Sequence, residues 1–453
     1  MPFATARYRD YLFYLALFTL IPLWNIPHTI ALRYVCEGVL LLIILSSGFD
    51  WKPILARSKL LLLFALYLFI QVLFFSSSVS EGLRGFKSEW MHFILFTIVG
   101  AGSGLYLAQN RPRNVLLLIG FAFAIPLLIH LSLVLYKGIT IRSIPWDYWG
   151  INEIHGDLAY TSLQASILLT VYVLSIAKTR LQYALSSLLL LVCLVSPLIA
   201  QSRGGVIFTI GSVFFTSAWY FYFKRPKLIL NARTILISAL TLVCLGFLLK
   251  TGIAADPERW GKSVSRALAG FQGDANVIMC DGVESLIASY HSKNIPITPQ
   301  IESELDRILN GEGTRIMAAR SGLNLILQHP MGIDGSKQAY QIAIKQFCGG
   351  IPAIVIFHAH NGWIDTALAI GIPGALLLFM VMVNYGVQGF RLSREPASFN
   401  PFGLALFASA FLWLLRALLD STLRDQMLEM QAFVLPLLLT LAMSYHSKLR
   451  NTK

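Results

Sequence analysis

The chain has 453 residues, of which 56% are hydrophobic and 13% charged, with a formal net charge of +13. Soluble domains carry about 25% charged residues, so a composition this apolar excludes an ordinary soluble fold. The positive charge falls in short clusters between apolar blocks, a pattern of membrane topology control that argues against nucleic acid as a partner.

The apolar blocks are roughly twenty residues long, enough to cross a bilayer as a helix. No backbone group can go unpaired in lipid, so the sequence predicts an all-α integral membrane protein. The alternating ten-residue segments of a membrane β-barrel are absent. In chain order twelve spans are expected, at 11–27, 29–47, 60–78, 90–108, 115–135, 158–177, 183–200, 205–223, 234–251, 361–385, 401–420 and 428–446. The basic stretch Met1 to Asp10 leads into apolar sequence without a small-residue cleavage site, and reads as the start of an uncleaved first helix. Trp24 to His28 then reads as a tight turn into the second span.

Starting inside, one set of connections holds Arg7 and Arg9, then Lys52, Arg57 and Lys59, then Arg111 and Arg113, Lys178 and Arg180, Lys224 to Arg233, Arg391 and Arg394, and Lys448 to Lys453. The opposite short loops mix both signs, as in Glu81, Arg84, Lys87 and Glu89. This bias predicts cytoplasmic termini. It puts the one long polar segment, 252–359, on the outer face, so the chain divides into spans 1–251, a large and partly helical outer loop 252–359, and spans with a cytoplasmic tail at 360–453. Loops this long are normally functional. Within it, Thr298 to Asn310 and Thr314 to Gln328 read as helices. Cys36, Cys193 and Cys244 fall inside spans, whereas Cys280 and Cys348 share the loop and could pair on an oxidising face.

There is no phosphate-binding glycine loop, no dinucleotide fingerprint and no zinc spacing, so neither metal nor cofactor is expected. Three stretches carry candidate chemistry. The first is His358-Ala359-His360-Asn361-Gly362-Trp363-Ile364-Asp365-Thr366, where the polar loop meets an apolar span. Read as a helix from residue 360, it puts His360, Ala367, Gly371 and Gly374 on one small-residue face packed into the bundle. Pro373 should loosen that helix and free a carbonyl near residue 369. The plain alternative is a polar residue capping a helix. The second is Gln201-Ser202-Arg203-Gly204-Gly205, where an arginine at membrane depth presents a planar fork suited to phosphate oxygens, or else reaches lipid headgroups. The third is Gly311-Glu312-Gly313-Thr314-Arg315, with Thr314 as the expected N-cap and Pro330-Met331-Gly332 as the stop. Arg315 in a first turn opposes the helix dipole and calls for an anionic partner, either a ligand or a carboxylate such as Glu312. Lesser candidates are Arg142 and the series Arg416, Asp420, Arg424, read mostly as an ion-pair ladder on one helix face. Trp146, Tyr148 and Trp149 read as an interfacial belt.

Taken in order, these elements resemble the O-antigen ligase and O-antigen polymerase superfamily. The shared features are Ser202-Arg203-Gly204 after a mid-chain span, an arginine-led helix from Arg315 ending in His329-Pro330-Met331-Gly332-Ile333, and His360 at the start of the next span. The ligase-type pattern is met by His360-Asn361, nine residues, Gly371, two residues and Gly374, while Asp334 stands where many relatives have glycine. The resemblance implies a glycosyltransferase-C-like membrane enzyme of the bacterial inner membrane, with its active site facing the periplasm. Its donor would be O-antigen on undecaprenyl diphosphate and its acceptor lipid A-core. His360 would be the catalytic base, Arg203 and Arg315 would hold the donor diphosphate, and His358, Asn361, Gly371, Arg142, Arg416 and Asp420 would support them. A polymerase and a protein O-oligosaccharyltransferase are the neighbouring readings. A lipid-linked glycan flippase is the alternative from another class, disfavoured because the spans show no two-fold similarity and the buried charges cluster near the outer ends.

Overall fold

The computed structural model describes residues 2–76, 78–110, 114–152, 155–224, 246, 249–309, 311–394 and 399–451. Among these residues the secondary structure is helical, with no strand. The first half runs α1 (Pro2–Leu23), α2 (Ile30–Ser46), α3 (Lys52–Arg57), α4 (Lys59–Phe74) and α5 (Val79–Gly85), which passes through a π-helical turn Phe86–Trp90 into α6 (Met91–Asn110). Then come α7 (Val115–Ile141), α8 (His155–Ser175), α9 (Arg180–Ile199) and α10 (Arg203–Lys224). The polar segment holds α11 (Pro257–Gly261), α12 (Ser263–Ala269), α13 (Ala275–Asp281), α14 (Glu284–Ser292), α15 (Pro299–Leu309), α16 (Glu312–Gln328) and α17 (Ala339–Phe347). The chain ends with α18 (Gly362–Ser393), α19 (Pro401–Leu419) and α20 (Asp425–Asn451).

Among the described residues eight helices are long and apolar enough to cross a membrane: Val79–Gln109, Val115–Ile141, Gly156–Ser175, Arg180–Ile199, Arg203–Lys224, Gly362–Ser393, Pro401–Leu419 and Asp425–Ser447. Each coincides with an expected span. The segment expected at 60–78 is the apolar but shorter Lys59–Phe74, and helices also form at the first two expected segments. The segment expected at 234–251 lies outside the described residues except for 246 and 249–251. Cys244, Arg111, Arg113 and most of the basic stretch 224–233 also lie outside them.

Polar caps set the helix starts. Thr179 and Gln182 form a reciprocal capping box on α9, and Asn400 caps α19 ahead of Pro401 at its first turn. Helices α6 and α20 pack closely because small residues let the backbones approach: a Cβ at Gly100 would lie 2.1 Å from the Phe433 carbonyl oxygen. Next to this seam an Arg33–Glu429 ion pair of 2.7 Å is buried between α2 and α20, a contact that the sequence does not announce.

Helix α16 is the hub of the polar segment. It packs against α12, α13, α15, α17 and α18 through its apolar face of Met317, Ala318, Leu325 and Ile326. Thr314 does not cap it. The N-cap is Gly311, at φ 59°, and the Thr314 hydroxyl instead donates to the Ile308 carbonyl at 3.1 Å. The helix stops at Gln328 and the proline-glycine turn follows, as the sequence predicts. A disulfide joins Cys280 at the end of α13 to Cys348 at the end of α17, with Cα atoms 5.3 Å apart.

Candidate active site

Asn361 decides where α18 begins. Its side-chain oxygen accepts from the backbone N–H groups of Trp363 (3.0 Å) and Ile364 (3.1 Å). That satisfies donors which a helix start leaves unpaired. The residue before it, His360, has a left-handed backbone at φ 54°. His360 therefore sits above the helix end and not on a helical face shared with Ala367, Gly371 and Gly374, which corrects the expected helical register. The Asn361 amide also donates to the Leu418 carbonyl at 2.9 Å, and Gly362 N–H to the Asp420 carbonyl at 3.1 Å. The start of α18 is thus fastened to the end of α19.

The two histidines face each other, with ring centroids 4.2 Å apart and planes at 68°. His358 Nδ1 lies 2.9 Å from the Ser421 hydroxyl. That hydroxyl donates to Asp365, and the other Asp365 oxygen accepts from the Ala359 N–H at 2.8 Å. Burial, the neighbouring His358 and the cationic Arg315 push His360 down to a pKa of about 3, so its imidazole is neutral at physiological pH. Among the described residues its Nδ1 is buried without a hydrogen-bond partner. Burial lowers His358 as well, with the Asp365 carboxylate working against it.

The arginine series is only partly a ladder. Arg416 pairs with Asp420 at 3.1 Å and is 5% exposed, its guanidinium lying over the rings of Tyr160 and Phe208. Helix α19, however, ends at Leu419, Asp420 is extended (φ −160°), and Arg424 pairs with Asp425 at 3.2 Å. The three residues therefore do not share one helix face. Asp420 also accepts from the Tyr160 hydroxyl at 2.7 Å. Burial works against its carboxylate, but Arg416, Tyr160, Arg315 and His360 together hold its pKa below the ordinary value.

Arg203 and Arg315 differ in how they are occupied. Arg203 bonds the Glu312 carboxylate, the Arg259 carbonyl and the Ser263 hydroxyl. The anionic partner expected for Arg315 thus belongs to Arg203, a pairing across 109 residues that adjacency could not suggest. Arg315 makes no ion pair or side-chain hydrogen bond among the described residues, yet it acts electrostatically on His358, His360, Asp420 and Arg203. Among the described residues it is thus a cation within electrostatic range of the histidines that no carboxylate pairs directly. Arg142 is exposed at the left-handed end of α7, and among the described residues no contact ties it to this cluster.

Gly371 works through the backbone. Its φ 79° and ψ 166° break α18 two residues before Pro373. The break frees carbonyls, as the proline predicts, and the turn after α16 fills the gap. Ile333 N–H donates to Leu368 O at 3.0 Å, Gly335 N–H to Ala369 O at 2.9 Å, and Ile372 N–H to Pro330 O at 2.9 Å. The Tyr67 hydroxyl takes Ile370 O at 2.7 Å. Gly332 and Gly371 meet back to back: a Cβ on Gly332 would lie 2.4 Å from the Gly371 nitrogen. The turn tolerates Asp334, which is buried and accepts from Ser336 N–H at 3.0 Å.

Each candidate except Arg142 therefore belongs to one network at one end of the bundle. Among the described residues, no three His, Cys, Asp or Glu side chains gather as a metal site. Residues 186–379 match the family model described as O-antigen ligase. Over that segment the chain is similar to the O-antigen ligase family. No curated protein matches it. The matched segment runs from within α9 to the middle of α18 and contains Arg203, Arg315, His358, His360, Asn361 and Gly371, while Tyr160, Asp420 and Ser421 join the site from outside it. Reading the sequence missed Glu312 as the partner of Arg203, and missed Tyr160 and Ser421 altogether. Glu312 stood in a quoted motif, but neither Tyr160 nor Ser421 carries a sequence signal.

Proposed function

We propose that this chain is an O-antigen ligase. It transfers a glycan polymer from undecaprenyl diphosphate to a sugar hydroxyl of lipid A-core in lipopolysaccharide biosynthesis. It works as a multi-pass protein of the bacterial inner membrane, with cytoplasmic termini and the 252–359 segment in the periplasm. The observation that carries this reading is Arg315, a cation with no ion pair or side-chain hydrogen bond among the described residues, within electrostatic range of the histidine pair. A diphosphate supplies the missing anion, and a hydroxyl supplies the proton that a neutral imidazole can accept.

Arg315 stabilises the charge that builds on the departing diphosphate. Arg203, oriented by Glu312, Ser263 and Arg259, lends a second guanidinium once the donor is bound. His360 orients or deprotonates the acceptor hydroxyl. Attack without a covalent intermediate inverts the anomeric centre, and lipid diphosphate is a good enough leaving group to need neither nucleotide nor metal. The acceptor-side histidine, next to the asparagine and glycine pattern of ligases, favours lipid A-core over another lipid-linked unit or a protein hydroxyl as acceptor.

His360→Ala in cells tests the reading. Loss of the long-chain ladder on lipid A-core, with lipid-linked polymer accumulating, is expected. A single capped unit would indicate a polymerase instead, and an unchanged ladder would remove His360 from the chemistry. Donor stranded on the cytoplasmic leaflet would mark a flippase.

A further inference from the structure

Helix α18 turns back on itself at Gly371. The rings of Trp363 and Phe379 lie 5.3 Å apart, whereas an unbroken helix would set those two residues about 24 Å apart along its axis. A short arm, 362–370, therefore leads up to the break and a long arm, 372–393, returns from it. The long arm alone still has the roughly twenty residues that a crossing needs. It packs antiparallel to α19, with Gly389 against Phe407 and Gly386 against Ala410. The start of the short arm is tied to the far end of α19, where Asn361 donates to Leu418 O and Gly362 to Asp420 O. Helix α19 has 19 residues, about 28 Å of rise, close to the hydrocarbon thickness of about 30 Å. Its end at Leu419 thus marks the edge of the hydrocarbon, and Leu415, Leu418 and Leu419 are exposed beside it. Asn361 sits at that edge, and the chain entering it arrives there too.

That entering chain, 349–357, is an extended strap with two different faces. Cys348 at its start is bridged to Cys280. The N–H groups of Ala353 and Ile354 donate to Cys280 O at 3.0 Å and Met279 O at 3.1 Å, which fastens the strap to the end of α13. Ile354 and Ile356 turn inward and pack on the core. Ile351, Val355 and Phe357 turn outward and are 80%, 60% and 65% exposed. This alternation is the period of two that extended chain imposes. Between the strap and α17 runs a groove of about 310 Å³, lined by Ile342, Ile351, Pro352, Val355 and Ile356, with the exposed Lys345 at its rim.

We propose that the strap docks on the adjoining lipid leaflet, with Ile351, Val355 and Phe357 among the acyl chains and Lys345 on a phospholipid phosphate. Continuity carries the argument. The strap's apolar edge runs directly into the level of Leu418 and Leu419, which a membrane-spanning helix already presents to lipid. A row of large apolar side chains exposed at that level has acyl chains as its neighbours, not water. Non-helical backbone exposed to lipid does not occur within the hydrocarbon region. The strap therefore rides at the headgroup boundary and only its side chains reach the chains below, as in helices that lie on a membrane surface. The cation at the groove rim matches the phosphate that every phospholipid carries at that height. The docked strap, the disulfide and the Asn361 cap together set the depth of the two histidines.

Photochemical cross-linking tests the docking without any turnover. A benzophenone amino acid replaces Val355 or Phe357, both outward-facing, and Leu418 serves as the lipid-facing reference. The full chain is reconstituted in vesicles of phosphatidylethanolamine and phosphatidylglycerol, irradiated and analysed by peptide mass. Phospholipid adducts are expected at 355 and 357, in a yield comparable to that at 418. Adducts at 418 with none at 355 or 357 would overturn the docking. Cross-links at 355 or 357 to a second copy of the chain would overturn it in favour of a protein interface. Lipid adducts that form there only after lipid A-core is added would assign the edge to that lipid and overturn it as well. Phosphatidylglycerol should be enriched among the 355 adducts at least twofold over its share of the vesicle, and Lys345→Glu, an exposed change, should abolish the enrichment. An unchanged lipid ratio in Lys345→Glu would overturn the role of the lysine.

Discussion

Substituting Gly371 by alanine attacks the latch between the polar segment and the membrane bundle. The backbone there, φ 79° and ψ 166°, lies in a region essentially reserved for glycine. Forcing a side chain into it costs about 1–3 kcal/mol. The added Cβ would also lie 2.5 Å from the Met331 carbonyl carbon, and overpacking of that kind costs about 1–3 kcal/mol more. Relief requires withdrawing the 330–335 turn, which surrenders its bonds to the Leu368 and Ala369 carbonyls and loosens the end of α16, the helix that carries Arg315. Gly386 on the same helix is the internal control. Its Cβ would meet only Ala410, at an ordinary 3.7 Å, and alanine in a helix interior is favoured over glycine by about 0.5–1 kcal/mol. Thermal unfolding of the detergent-purified proteins, followed by the fraction surviving size exclusion, should show Gly371→Ala melting well below wild type and Gly386→Ala at or above it. Equal midpoints for the two variants would refute the latch.

Arg315→Ala should abolish transfer while leaving thermal stability at the wild-type level, since the side chain makes no ion pair among the described residues. The expected loss in kcat is about 10²–10³-fold, and a parallel loss of stability would contradict its role as a ligand-facing cation. Arg203→Lys should lower both stability and activity, because one ammonium cannot serve Glu312, Ser263 and the Arg259 carbonyl together; full activity would mean that a point charge suffices. Breaking the Cys280–Cys348 bridge opens a loop of 68-residue separation, worth about 4 kcal/mol on the chain-entropy account. Cys348→Ser should therefore expose 252–359 to limited proteolysis, and unaltered cleavage would refute the estimate. His360, at a pKa of about 3 in the fold against roughly 6.5 when unfolded, makes the unfolded chain bind more protons between those values. Stability should rise with pH through that window and be complete above it. Replacing His360 by glutamine should flatten the dependence of the melting midpoint over that range, and an identical slope would show that His360 is not buried neutral.

Much of the architecture is legible in the sequence because lipid imposes a simple rule on length and hydropathy. Eight of the expected spans return among the described residues, five of them to within three residues at both ends, while Val79–Gln109 starts eleven residues early and Val115–Ile141 and Gly362–Ser393 run on by six and eight. The one-residue details are less legible. His360 reads as helical because apolar periodicity continues from it, but the short Asn361 side chain competes for the first amides and starts the helix two residues later. Pro373 announces freed carbonyls, whereas the turn that fills them comes from residues 330–335 and needs two facing glycines. Arg203 and Glu312 are far apart in sequence, as are Ser421 and His358, so only the packed fold pairs them. The arginine series fails as a ladder because Asp420 leaves the helix to accept from Tyr160 and fasten α18.

The most direct test of the proposed ligase is transfer by the purified chain in lipid bilayers, with undecaprenyl diphosphate-linked glycan as donor, lipid A-core as acceptor and metals chelated. The account predicts glycan covalently joined to lipid A-core, at the same rate with and without chelator, and no such product from Arg315→Ala. Elongation of lipid-linked glycan with lipid A-core left unmodified would contradict it.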